Sequence, residues 1–234
     1  MENGEFRDRV VVVTGASSGI GRATAELFAH EGALVAVFAR SADTLAEIAK
    51  PFGDRMISVG GNVADETAIE KLFGEVESRF GDCDLLVNNA GTVNPKRMID
   101  TTPDEWDRMF AVNVRGAYLA SRRALPAMLA RRRGTIVNVA SISGVIGPEK
   151  FPGFVSYCAS KAAVIGMTDA LAVEVKDSGV RVNCISPGAV DTPMWAGVSG
   201  GAPASMTPQE IAEAIRFLAS TSSRPMNGQN LNVW

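Results

Sequence analysis

The chain has 234 residues, 46% of them apolar and 21% charged, with 23 Lys and Arg against 26 Asp and Glu for a net charge of −3. That composition belongs to globular proteins and excludes a disordered or collagen-like chain, and the charge balance lacks the basic field that a nucleic-acid backbone requires. The length suits one large domain or two small ones, and without an internal repeat or a Gly/Ser-rich linker a single domain over 1–234 is expected.

No stretch approaches the roughly 18 apolar residues of a membrane span, and the polar start MENGEF runs straight into a short strand instead of reading as a secretory leader. Cys83, Cys158 and Cys184 are odd in number, far apart and without CxxC spacing. Neither a disulfide framework nor a zinc site is indicated, and a cytoplasmic location fits best. His30 is the only histidine, which removes Ser-His-Asp and Cys-His catalysis, multi-histidine metal sites and HExxH hydrolysis. No metal is expected, and acid–base work must come from other side chains.

Along the chain, short β-branched runs alternate with longer amphipathic stretches, the pattern of βαβ units and a parallel sheet. Strands are predicted near Val10–Thr14, Leu34–Ala39, Met56–Gly60, Leu85–Asn88, Thr135–Ala140, Val180–Ser186 and Leu231–Val233. The runs VVVV, LVAVFA and LLV are apolar throughout, as in strands covered by helices on both faces. Thr102-Pro103-Asp104-Glu105 and Thr207-Pro208-Gln209-Glu210 each combine a Thr N-cap, a Pro at the first helical position and a Glu that closes a capping box. Helices are therefore predicted from Pro103, running to Arg132, and from Pro208. Arg131-Arg132-Arg133 would complement the C-terminal dipole of the first. A further helix is predicted over Ser156 to Lys176. Asp191 to Met206 breaks every period and reads as a mobile substrate loop at about 191–207.

The first strand leads into Thr14-Gly15-Ala16-Ser17-Ser18-Gly19-Ile20-Gly21 and then a helical run. Glycines at 15, 19 and 21 permit a sharp turn, a close ligand approach and tight helix–strand packing, and the helix N-terminus would hold a pyrophosphate. No Lys-Ser or Lys-Thr follows, so nucleotide hydrolysis is not expected. After the second strand comes Arg40-Ser41, with no carboxylate where an NAD ribose would want one. Arg40 can grip a 2′-phosphate, which favours NADP. Asp43 reads as a helix-start residue.

Tyr157 and Lys161 stand at i and i+4, on one face of a helix. A phenol near pKa 10 is a poor base at neutral pH, and a nearby ammonium would lower that value. The phenol could then give a proton to a carbonyl or take one from an alcohol.

Together these motifs resemble the short-chain dehydrogenase/reductase family from the first strand to the last. The resemblance is carried by TGASSGIG at 14–21, NNAG at 88–91, Asn113 in FAVNVRG, Ser141 in NVASISG, YCASK at 157–161 and Pro187-Gly188 in ISPGAVDTP. It implies an α/β fold with a doubly wound, mostly parallel seven-stranded sheet (a Rossmann fold), a nicotinamide coenzyme and a tetrad of Asn113, Ser141, Tyr157 and Lys161. Tyr157 would be the acid–base residue. Lys161 would bind the nicotinamide ribose and depress the Tyr pKa, Ser141 would polarise the substrate oxygen, and Asn113 would hold a water in a proton relay. Ser143 stays open as an alternative serine. By the same resemblance Gly15, Ser17, Ser18, Gly19, Ile20 and Gly21 would cradle the pyrophosphate. Asn62 and Val63 would meet the adenine, and Asn88 and Asn89, with Ala90 and Gly91, would steady the sheet and contact the adenosine side. Pro187, Gly188, Val190 and Thr192 would approach the nicotinamide.

The chain departs from the family's pattern in three places. A longer segment between Ser141 and Tyr157 carries Gly147 to Pro152, a shorter one runs from Thr192 to Pro208, and no Asp-Gly-Gly follows the last strand. An open pocket is expected, flanked by Phe151, Phe154, Met194 and Trp195. Glu149 and Lys150 would be its nearest charges, so the expected substrate is mainly apolar or neutral. Members of the family commonly pair through the helices at 103–132 and 156–176, which implies a homodimer or homotetramer. The expected activity is an NADP(H)-dependent interconversion of a carbonyl and a secondary alcohol, ketoreductase-like, on a 3-oxoacyl or small ketone substrate. The alternatives are an NAD-linked alcohol dehydrogenase and an NADP-sensing regulator without turnover.

Overall fold

The computed structural model describes residues 4–234. Its strands are β1 Val10–Thr14, β2 Leu34–Ala39, β3 Met56–Gly60, β4 Leu85–Asn88, β5 Gly134–Val139, β6 Val180–Pro187 and β7 Asn230–Val233. They form one sheet in the order β3-β2-β1-β4-β5-β6-β7, and every pairing is parallel. The helices are α1 Gly19–His30, α2 Ala42–Ala49, α3 Glu66–Phe80, α4 Pro103–Phe110, α5 Gly116–Ala130, α6 Val155–Glu174, α7 Pro193–Ala196 and α8 Pro208–Ala219. No helix among the described residues is long and apolar enough to cross a membrane.

Both sheet faces are buried, and the period-2 alternation of each strand divides its side chains between two cores. Val11, Val13, Val35 and Val37 pack with Phe28, Leu45, Ile211 and Ile215 under α1, α2 and α8. Val10, Val12, Ala36 and Phe38 face the opposite way, onto Ile69, Phe73, Leu119 and Met128 of α3 and α5. The order of successive strands reverses between β1 and β4, and in such a sheet the crevice outside the carboxyl ends of those two strands is the natural ligand site.

The helix expected as one run from Pro103 to Arg132 is built in three parts. Thr102 and Glu105 form the capping box at its start, but a π-turn over Ala111–Arg115 separates α4 from α5. An extra residue in one turn rotates α5 relative to α4 and turns Asn113 inward, where it is 2% exposed. The arginine run does more than complement a dipole. Arg131 and Arg133 reach Asp84 at 3.3 and 2.8 Å, and Asp84 also accepts the Val10 amide at 3.1 Å. This carboxylate is 9% exposed and ties the entry of β1 to the end of α5. Arg181 performs a similar service at the far edge, donating to the carbonyls of Leu218, Ala219, Ser220 and Ser223 where α8 ends. Replacing Asp84 by Ala leaves the Val10 amide without its acceptor and removes the carboxylate shared by Arg9, Arg131 and Arg133. The expected loss is about 2 kcal/mol, discounted because the arginines remain partly solvated, and it is read as a lower urea midpoint at unchanged m-value.

Candidate functional site

The loop between β1 and α1 closes against the end of β4. Gly15 and Gly19 take φ of +67° and +54°, the left-handed region that glycine enters without a Cβ penalty. The Thr14 hydroxyl accepts the amides of Asn89 and Ala90 at 3.1 Å, and the Asn89 side chain donates to the carbonyls of Thr14 and Gly15 at 3.0 Å. A Cβ on Gly21 would lie 2.4 Å from both Asn89 Nδ2 and the Gly15 oxygen. Gly21 therefore permits the packing and sits behind the cleft wall. Ser18 stands at the N-cap of α1 with extended backbone and no capping hydrogen bond, and no acidic residue occupies the first turn. The first-turn amides are left for an anion.

A cleft of about 540 Å³ opens at this point. It gathers the expected residues of four loops: Gly15 with Ser17 to Ile20, then Arg40 and Ser41, Asn62 and Val63, and Asn89 to Gly91. Pro187, Gly188, Val190 and Thr192 complete the opposite side. Arg40 is exposed, and among the described residues no carboxylate pairs with it. The cradle and its uncapped amides fit a nicotinamide dinucleotide. Among the described residues no three His, Cys, Asp or Glu side chains gather as a metal site needs.

Ser141, Tyr157 and Lys161 line the same cleft. Ser141 follows β5, is 9% exposed and favours ionisation of the Tyr157 phenol, whereas Ser143 lines the cleft beside it and gives its amide to the Ser141 hydroxyl at 3.1 Å. Lys161 is buried one helical turn beyond Tyr157, and its Nζ donates to the Val139 carbonyl at 2.8 Å. Burial pulls this ammonium down to about 8. The expected lowering of the phenol by Lys161 does not occur. Burial instead pushes Tyr157 up to about 12, opposed by Ser141. The reason is placement: Nζ lies over the Tyr157 ring, 5.8 Å from its centre, and is bonded to a backbone oxygen.

Asn113 lies behind the wall. Its amide donates to the Thr92 carbonyl and to Ser160 Oγ, both at 2.9 Å, and accepts the Thr92 amide at 2.7 Å. These bonds fix the Asn113 side chain, which positions the end of β4 against α6. Asn88 joins Ser121 and Asn138 in a buried network behind it, which steadies the sheet as expected.

The substrate loop, 191–206, contains α7, a bridge between Val190 and Met206 and a bond from the Trp195 indole to the Ala202 carbonyl at 3.0 Å. Thr192 caps α7 through the Trp195 amide. Phe151, Phe154, Met194 and Trp195 do line the cleft, but its wall contains neither Glu149 nor Lys150. The Lys150 ammonium donates to the carbonyls of Ile142 and Val145. The charge present instead is Arg108, from the last turn of α4. Thr92, Val93 and Val112 were also not anticipated. The first two follow β4 and were legible from the rule that ligands bind beyond strand carboxyl ends, while Arg108 and Val112 needed the phase of α4.

A family model for short chain dehydrogenases matches residues 9–201. This chain belongs to the short-chain dehydrogenase family. It is 39% identical to the cis-4-hydroxycyclohexanecarboxylate dehydrogenase of Sinomonas cyclohexanicum, over 97% of this chain and 96% of that one. It is 35% identical to the 3-oxoacyl-[acyl-carrier-protein] reductase of Thermotoga maritima over 96% of each. Among solved structures, the 3-ketoacyl-(acyl-carrier-protein) reductase from Brucella melitensis complexed with NADH superposes with a TM-score of 0.88 at 30% identity, covering 97% of both chains. The family is one of oxidoreductases that bind a nicotinamide coenzyme.

The Lys161 shift has a consequence for stability. Between about pH 8 and 10.5 the unfolded chain holds the lysine proton and the folded chain has released it, so the contribution of this lysine to stability rises with pH through this window. From pH 8 to 10 this lysine contributes a rise of about 2 kcal/mol, opposed over the same window by the buried thiols of Cys83 and Cys184 and by Tyr157, which burial raises. The lysine's share is read as the difference between wild type and Lys161→Met: from pH 8 to 10 the urea midpoint of the wild type should gain on that of the variant by the equivalent of about 2 kcal/mol.

Proposed function

We propose that this chain is an NADP(H)-dependent oxidoreductase that interconverts a carbonyl and a secondary alcohol, with reduction as its working direction. The observation that carries this reading is that Tyr157, Ser141 and Lys161 line the same cleft as the uncapped α1 N-terminus and Arg40. When bound, the coenzyme supplies the hydride.

In this reading the α1 amides, with Gly15, Ser17, Ser18, Gly19 and Ile20, hold the pyrophosphate, and Gly21 keeps the helix close. Arg40 and Ser41 take the 2′-phosphate, and Asn62 and Val63 border the adenine. Asn89, Ala90 and Gly91 meet the adenosine side, while Pro187, Gly188, Val190 and Thr192 border the nicotinamide. Ser141 donates to the substrate oxygen and orients it. Tyr157 gives its proton to that oxygen as negative charge develops there, and a phenol at about 12 is still a better acid than the alcohol formed. Lys161 lies beside the ring, holds the nicotinamide ribose and keeps a proton close at neutral pH. Asn113 acts as a positioning residue.

An NAD-linked dehydrogenase is the second reading, favoured by the NADH in the related Brucella structure and opposed by the absence of a carboxylate after β2. Two substitutions test the assignment. Tyr157→Phe should lower kcat about a thousandfold and leave the NADPH dissociation constant within about twofold. Unchanged turnover would move the chemistry elsewhere, and a panel with no turnover in the wild type would favour a coenzyme-sensing regulator. Arg40→Asp should weaken NADPH about thirtyfold while improving NADH, as followed by nicotinamide fluorescence. No shift in preference would remove Arg40 from the coenzyme site. Self-association through α5 and α6, which expose Tyr118, Leu129 and Val173, belongs to the same proposal. A sedimentation mass of one chain at micromolar concentration would reject it.

A further inference from the structure

Charge in the cleft is one-sided. Among the described residues its wall contains Arg40, Arg108 and Lys161 and no Asp or Glu, in a chain whose net charge is −3. In the proposed reaction Arg40 faces the coenzyme phosphate and Lys161 the ribose. Arg108 has no part in it.

Arg108 stands on the substrate half of the cleft. Arg40 follows β2, on the far side of the switch point, whereas α4 follows β4 and is linked through Asn113 to Ser160 of α6. Val112, in the π-turn that follows α4, also lines the cleft. The guanidinium is not engaged by protein. Glu105, at i−3, is held by Lys96 and by the capping box, and neither Asp104 nor any other carboxylate among the described residues pairs with Arg108. The other side chains of this half are largely apolar: Val93, Val112, Phe151, Phe154 and Met194. A free cation at one end, apolar walls and a proton donor at the other describe a bifunctional ligand.

We propose that the site takes a compact carbonyl compound bearing a carboxylate, and that Arg108 binds the carboxylate. This rests on the oxidoreductase reading and names its substrate class, replacing the neutral substrate expected from Phe151 and its neighbours. A guanidinium matches a carboxylate with two parallel hydrogen bonds. Arg108 is a specificity residue: its contact forms equally in ground and transition states, so its loss raises KM and spares kcat.

The test compares 4-oxocyclohexanecarboxylate with its methyl ester. Each is titrated calorimetrically into protein saturated with NADP⁺ or NAD⁺, whichever binds more tightly, because the oxidised coenzyme cannot reduce the ketone and binding is read without turnover. The wild type should bind the acid about tenfold or more tighter than the ester. Arg108→Gln should bring the acid down to the level of the ester and leave the ester within about twofold, and Arg108→Lys should restore part of the preference. In turnover, Arg108→Gln should raise KM for the acid at constant kcat. Equal affinities in the wild type, no binding of either compound, or a preference that survives Arg108→Gln would overturn the proposal. Failure of the oxidoreductase reading shows separately, as NADPH that no carbonyl consumes, and leaves the acid-over-ester comparison readable.

Discussion

A buried ammonium with a single carbonyl to hold it is the constraint around which the site is arranged. Lys161 is 4% exposed, bonds only the Val139 oxygen at the end of β5, and has no carboxylate beside it, a situation that burial makes costly for the charged form. Its position requires α6 to press against the turn that follows β5. There a Cβ on Gly144 would lie 2.5 Å from the Lys161 carbonyl carbon and 2.6 Å from the Ala162 nitrogen, so glycine is what lets backbone meet backbone. The same contact presents Tyr157, one turn earlier on α6, to Ser141 at the mouth of β5. Asn113 then fixes the other side of α6 by bonding Ser160, and it can do so because the π-turn brings its amide inward.

The cleft as a whole is the counterpart of a multiply charged ligand. The open amides of α1, Arg40, Arg108 and Lys161 give it a positive lining within a slightly acidic protein, which concentrates anions at the carboxyl ends of β1 and β4 and not over the surface at large. Rigid strands hold one wall and loops the other. The loop carrying α7 contains the Val190–Met206 bridge and the Trp195 indole bond.

Much of the fold was legible in the sequence because its signals are local and repeated. Apolar runs bounded by glycine and polar residues located all seven strands to within a residue or so, and the Thr-Pro-x-Glu pattern located the starts of α4 and α8. The same Thr-Pro start at Thr192-Pro193 was present and passed over, since the glycines beyond it hid a helix of four residues. The π-turn at Asn113 leaves no sequence trace, because one widened turn is too short to alter a period. The glycine loop, Arg40 and the Tyr157–Lys161 spacing read correctly as cleft residues. What each arginine would meet did not: Arg131 and Arg133 resemble a solvated cationic end until Asp84 is seen between them, and Arg108 faces the cleft only through the phase of its helix. The direction of the Tyr157 shift was likewise inaccessible, because it depends on the extent of burial and on where Nζ points.

Parallel titrations of the purified protein with NADPH and NADH, each followed by a carbonyl panel read as loss of nicotinamide absorbance, test the central claim most directly. An NADP(H)-dependent carbonyl reductase binds NADPH about tenfold or more tighter than NADH and consumes it with at least one carbonyl compound. Tighter binding of NADH, or NADPH bound tightly and consumed by no carbonyl, would contradict it.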